Sequence, residues 1–325
     1  MSARAKGLRS VGTRASRTPF CERPGYVTRR AIIGLIGGVV ATGCGAAALL
    51  GFGVVGDSTP ARELPRNPAP AVSTATLTRI AVAGDTGTGQ GSAIEDTVQA
   101  MVDQAKQRDY DGLVLLGDLI YPEGDADQAR SRITDVFEPI LSRGARLVPV
   151  LGNHDYLSDE QSAILTEVGR EQTWYVDQVG IVRILVLDTE QVDNPAQTTW
   201  LQATLASPTD AAWTIVAMHK PAYSAGFHGS DEEIQRQWVP LFEQYDVRLV
   251  LAGHDHDYQR SKPIGGVTYV VSGGAATLRP AGREDFTDVS TSTLHYVDVL
   301  AEDDRLTLRA IDQSGMLVDS VKLTR

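Results

Sequence analysis

Beyond Cys44 the chain contains no cysteine, and the only other one is Cys21. A disulfide framework and a cysteine-based metal cluster are therefore excluded for most of the 325 residues. Histidine is also scarce, with six in the whole chain, so their positions carry information. Excess positive charge is missing from the body. The net charge of −11 divides into +7 for residues 1–30 and −18 for residues 31–325. A body this acidic repels polyanions, which argues against nucleic acid as a partner. With 42 % hydrophobic and 22 % charged residues, disorder and collagen-like repeats are excluded as well.

No charged residue falls between Ala31 and Gly56, and the basic stretch before it ends in Arg29-Arg30. That run is long enough to cross a bilayer as a helix. Its many glycines make it only mildly apolar, and a paired arginine before such a run resembles a twin-arginine export signal. Residues 1–56 are read as that signal, with an uncleaved membrane anchor as the alternative. The expected location is the cell envelope or the exterior, reached through the twin-arginine export machinery; the alternative is membrane attachment through residues 31–56 with the domain outside. Pro60, Pro65, Pro68 and Pro70 cannot continue a helix, so 57–76 reads as an extended linker. The folded domain is expected over 77–325.

From residue 77 short apolar runs alternate with amphipathic segments. Residues 80–83, 113–116, 147–151, 213–217 and 248–252 read as buried strands. Ile94, Val98, Met101, Val102 and Ala105 share one helix face, behind a Ser92/Glu95 capping box. Ile234, Trp238, Leu241, Phe242 and Tyr245 repeat that spacing behind Ser230 and Glu233. Strand, helix, strand in this order predicts βαβ units and a partly parallel sheet. Alternation at 305–310, with turns at Asp303-Asp304 and Ser314-Gly315, predicts an antiparallel meander at the C-terminus.

The residues at the strand ends carry more information than the strands themselves. The five runs end in Gly84-Asp85, Gly117-Asp118, Gly152-Asn153-His154, Met218-His219 and Gly253-His254-Asp255-His256. Parallel strands bring their carboxyl ends to one edge, where ligands bind. Glycine before the functional residue allows a sharp turn. Two carboxylates, an amide, several imidazoles and Tyr121 are thus expected to converge on one crevice. Oxygen and nitrogen donors without sulfur suit iron, zinc or manganese. A lone Gly-Asp is most often a turn, and a lone buried histidine a core residue. Four of six histidines at strand ends is a clustering those readings leave unexplained.

In these motifs the chain resembles the purple acid phosphatases of the calcineurin-like metallophosphoesterase superfamily. Their five ordered blocks read here as Asp85-Thr86-Gly87, Gly117-Asp118-Leu119-Ile120-Tyr121, Gly152-Asn153-His154-Asp155, Val216-Ala217-Met218-His219 and Gly253-His254-Asp255-His256. The resemblance implies an α/β (mixed α+β) fold of four layers, with two packed mixed β-sheets flanked by helices. It implies Fe(III) on Asp85, Asp118, Tyr121 and His256, and a divalent ion (Fe, Zn or Mn) on Asp118, Asn153, His219 and His254, with Asp118 bridging. The reaction implied is hydrolysis of phosphate monoesters, on small molecules or proteins, by water that the metals activate.

Protonation of the leaving group would fall to His154, held in place by Asp155. His228, nine residues after His219, would line the substrate pocket with Asn153 and His154. Lys220 and Tyr258 adjoin ligands and are candidates for touching phosphate, whereas His295 reads as structural. Two other functions stand as alternatives. One is a Mn- or Zn-dependent phosphodiesterase or nucleotide hydrolase, with Tyr121 unliganded. The other, an inactive module displayed at a membrane, should have lost a ligand, and none is missing.

Overall fold

The computed structural model describes residues 67–69, 78–89 and 91–325. The export signal or anchor read at 1–56 lies outside the described residues. After β1 (Asn67–Pro68) the chain runs β2 (Thr78–Ala83), α1 (Ala93–Ala105), β3 (Gly112–Leu116), α2 (Asp135–Leu141), β4 (Arg146–Val150) and α3 (Gln161–Glu167). It continues through β5 (Tyr175–Val179), β6 (Val182–Val186), α4 (Pro195–Ala206), β7 (Trp213–Ala217), α5 (Glu232–Gln237), α6 (Val239–Gln244) and β8 (Leu249–Ala252). The last strands are β9 (Tyr258–Ser261), β10 (Thr268–Ser272), β11 (Thr287–Thr291), β12 (His295–Ala301), β13 (Arg305–Asp312) and β14 (Met316–Thr324).

These strands form two seven-stranded sheets, in the orders β1-β14-β13-β12-β2-β3-β4 and β11-β9-β10-β8-β7-β6-β5. In the first, β2, β3 and β4 are parallel and the meander β12–β14 is antiparallel, as the sequence pattern predicts. In the second, β6, β7, β8 and β10 run parallel. Side chains alternate across each strand, and both faces are apolar. Ile80 and Val82 of β2 join Val114, Val148, Ile215 and Leu251 between the sheets. Ala81 and Ala83 face the other way, onto Ile94, Val98 and Met101 of α1. On the second sheet Val216 and Val250 pack against Leu201 of α4, Ile234 of α5, Phe242 of α6 and Trp238 between those two helices. The layers are helix, sheet, sheet, helix, the mixed α/β architecture expected. Each of these fully buried aliphatic side chains contributes about 1.5–3 kcal/mol.

Two stretches differ from what the sequence predicts. The helix expected over 234–245 is interrupted at Trp238, because Pro240 has no N–H to continue the ladder. Its cap is Asp231, whose Oδ1 accepts from Glu233 and Ile234, and not Ser230. Within the stretch read as linker, Asn67 and Pro68 pair with Leu317 and Met316 of β14, so the sheet reaches further back than residue 77. α1 is capped by Ser92 as expected. Among the described residues no helix is long and apolar enough to cross a membrane.

Candidate metal centre

The carboxyl ends of β2, β3 and β4 in one sheet and of β7 and β8 in the other meet at a single edge. The turns after them are sharp. Asp85, Asp118 and His254 adopt positive φ (59°, 49° and 71°), a conformation that costs a non-glycine residue free energy and clusters at functional sites. The chain approaches itself too closely there for side chains at two glycines: a Cβ at Gly152 would sit 2.2 Å from the Asp118 amide nitrogen, and one at Gly253 would sit 2.7 Å from Leu116 O.

One group of donors surrounds His219. Its Nδ1–H donates to the Leu116 carbonyl (2.7 Å), which turns Nε2 toward Asn153 Oδ1 (3.1 Å), His254 Nδ1 (3.2 Å) and Asp118 Oδ1 (3.3 Å). The second group surrounds the Tyr121 hydroxyl, which lies 3.1 Å from Asp85 Oδ1, 2.9 Å from Asp118 Oδ2 and 3.1 Å from His256 Nε2. His256 Nδ1 is held in turn by Thr277 Oγ1 at 2.6 Å. Asp118 belongs to both groups, one oxygen facing each. All seven residues that the motifs single out as ligands are thus brought together.

The electrostatics of this cluster are those of a cation site. Burial disfavours a charged His219, yet Asp118 overrides it and raises the imidazole to about 10, while Asp118 itself is held below the usual carboxylate range. A proton on Nε2 is the smallest cation that relieves four converging lone-pair donors. Burial, with His219 adding to it, pushes His254 down to about 2, leaving a neutral ring fit to ligate. Burial beside Asp85 and Asp118 raises the Tyr121 phenol, so its hydroxyl keeps its proton unless a metal ion displaces it. Asp118, His219 and His254 lie close enough together to hold one ion, and the sulfur-free donor set suits hard or borderline metals.

Other expected residues fall differently. His154 sits half-exposed beside Tyr121 (ring centroids 4.6 Å apart), with its N–H on Asp118 Oδ1 and its Nδ1 on the Pro122 carbonyl at 2.6 Å. Asp155 does not hold it. That carboxylate is buried and accepts from the amides of Leu119, Ile120 and Gly152, lacing the β3 turn to the β4 turn; burial beside Asp118 raises it to about 7. His228 stacks on His254 at 4.1 Å and lines a cleft with Lys220, Pro221, Gly229, Ser230 and Asp231. Lys220 is paired with Glu190 at 2.6 Å. Tyr258 is buried and donates to Asp319, away from the cluster. His295 is buried between Ser272 and the Thr293 carbonyl, as a structural residue would be. His254-Asp255-His256 lies past the end of β8, not on a strand face. The motifs gave no sign of Thr277, Pro122 or Arg279, the last of which donates to His228 Nε2.

Comparison with known proteins places this arrangement. The profile of the family described as Calcineurin-like phosphoesterase matches residues 78–258, which contain every cluster residue. The chain belongs to that family. Among relatives of this phosphoesterase, human tartrate-resistant acid phosphatase type 5 is 27 % identical over 261 residues, covering 66 % of this chain and 79 % of the relative. An uncharacterized protein of Mycobacterium tuberculosis is 34 % identical over 145 residues, 38 % of this chain. The purple acid phosphatase from yellow lupin seeds shares the fold, with a TM-score of 0.67 and 22 % identity over 79 % of this chain. The aligned parts span only 26 % of the mycobacterial protein and 55 % of the lupin chain.

Proposed function

We propose that the protein hydrolyses phosphate monoesters at a dinuclear metal centre of the purple acid phosphatase type. The observation that carries this reading is Asp118, whose two oxygens face two separate donor groups. In it Asp85, Asp118, Tyr121 and His256 hold Fe(III), and Asp118, Asn153, His219 and His254 hold Fe, Zn or Mn. Bound there, the metals supply a nucleophile from water at mild pH and neutralise phosphate charge. The residues do the rest. Leu116 O and Thr277 fix the His219 and His256 rings so that each presents Nε2. Asp155 holds the two turns in register. His154, anchored through Nδ1 to Pro122 O, keeps Nε2 available to protonate the departing alkoxide, while His228 bounds the phosphate from the cleft side.

The visible spectrum of the full chain, purified with iron and zinc present, tests this against Tyr121→Phe. A violet charge-transfer band lost in the variant is expected. A colourless protein that still cleaves phosphate esters would instead favour the Mn- or Zn-dependent diesterase or nucleotide hydrolase. A second expectation concerns His154→Ala. Its turnover should fall about a hundredfold on alkyl phosphates and far less on aryl phosphates, whose leaving groups need less protonation. Equal losses would remove His154 as the acid. Export through residues 1–56 is part of the same proposal, supported by Arg29-Arg30 before an uncharged run.

A further inference from the structure

Beside His254 two loops come together, one carrying Phe227 and His228 and the other Arg279. The His228 ring stacks on His254, its Nε2 accepts from Arg279 Nη1 at 2.5 Å, and the Arg279 guanidinium lies 4.8 Å over the ring of Phe227, which is 72 % exposed. Arg279 is fixed from behind as well. Its backbone N–H donates to the His256 carbonyl (2.9 Å), and its own carbonyl accepts from Ser292 Oγ (2.8 Å). Thr277, two residues earlier, bonds His256 Nδ1. The guanidinium therefore stands at a set offset from the ligand cluster, with the His228 imidazole between it and His254.

The other charged side chains along the cleft have partners. Lys220 has Glu190, and Asp231 spends its Oδ1 on the first amides of α5. Asp255 is buried and accepts the His228 amide (2.8 Å) and the Ser224 hydroxyl. Among the described residues no carboxylate pairs with Arg279, and its Nε and Nη2 make no hydrogen bond. A guanidinium keeps its charge at every working pH and offers a planar fork of donors that matches an oxyanion. Arg279 stands beside His228, which itself stacks on His254, so the rest of an ester bound at the cluster is what the guanidinium is placed to meet.

We propose that Arg279 selects phosphate monoesters whose leaving group carries a second oxyanion, with the Phe227 ring as an apolar floor beside it. The inference rests on the phosphatase reading and adds the substrate class. Its physical basis is a charge-assisted, forked hydrogen bond at a site that the acidic body does not neutralise. His228 accepts one donor and leaves the others for the ligand.

The test compares 4-carboxyphenyl phosphate with 4-carbamoylphenyl phosphate, which matches it in size and lacks the charge. Wild type is expected to favour the carboxylate by about tenfold in kcat/KM at low salt, the lower end for a hydrogen bond to a charged group. Arg279→Gln should bring the ratio near one and Arg279→Lys should restore part of it. The ratio is the readout, because Gln at 279 also changes the neighbour of His228 for both substrates alike. Titration calorimetry with the two corresponding phosphonates, which are not hydrolysed, gives the same comparison without turnover. An unchanged ratio in Arg279→Gln, or no wild-type preference in either assay, overturns the proposal. Should wild type cleave neither ester, the phosphatase reading fails, and the phosphonate affinities still decide the role of Arg279.

Discussion

Replacing Asp118 with Asn is expected, on the proposed dinuclear reading, to strip the protein of both metal ions and to lower phosphate-ester turnover by more than about a hundredfold, since even outer partners of metal ligands cost that much. The substitution isolates charge from shape. Asp118 has φ 49°, a left-handed conformation that Asn adopts at least as readily as Asp, so the turn after β3 should persist. What changes is the group lying between two donor sets. An amide presents one oxygen and one NH2 where the carboxylate presents two oxygens, to His219 and to Tyr121. Whichever way the amide is turned, one side faces a donor and loses an anionic ligand. Metal content by elemental analysis and turnover with an aryl phosphate are the measurements. Full metal content with wild-type turnover would dispose of the bridging role, and loss of one ion only would make Asp118 a ligand to a single metal.

Much of this site is legible in the sequence because it depends on strand ends. An apolar run leading into glycine and a donor fixes both where a strand stops and which side chain turns into the crevice. Parallel neighbours then bring such ends together without long-range information. Where neighbours in sequence part in space, the reading goes astray. Asp155 comes directly after His154, yet the short helical turn at 154–156 sends one side chain out toward the cleft and the other inward, onto the amides of Leu119 and Ile120. The break at Trp238 escapes for a different reason. Ile234, Trp238 and Phe242 keep one apolar face on either side of it, and periodicity registers that face but not the missing N–H of Pro240. Thr277 and Arg279 sit on an aperiodic loop and reach His256 and His228 respectively through folding of the whole chain.

Substituting Gly152 with Ala adds one methyl group, and its expected effect is out of proportion to that. Gly152 does not have positive φ, so no conformational strain arises from the backbone angles themselves. The penalty is steric. The new Cβ would lie 2.2 Å from the Asp118 amide nitrogen and 2.2 Å from Asp118 Oδ1, and the first of these belongs to a backbone that cannot swing aside. Either the β4 turn retreats, carrying Asn153 and His154 with it, or the β3 turn does, carrying Asp118. Both routes also pull on the amides that Asp155 holds together. We expect a loss of about 3 kcal/mol, the upper end for overpacking, because the wall here is main chain and not a side-chain tip. The location of the strain gives a sharper sign than its size. On the proposed dinuclear reading, bound metal stabilises wild type through linkage, so adding a chelator should lower its Tm. In Gly152→Ala that metal-dependent increment should shrink toward zero, since the displaced turns carry Asp118 and Asn153 apart. Equal increments in both proteins, on top of a lower Tm, would mean that the turns absorb the methyl group without moving the donors.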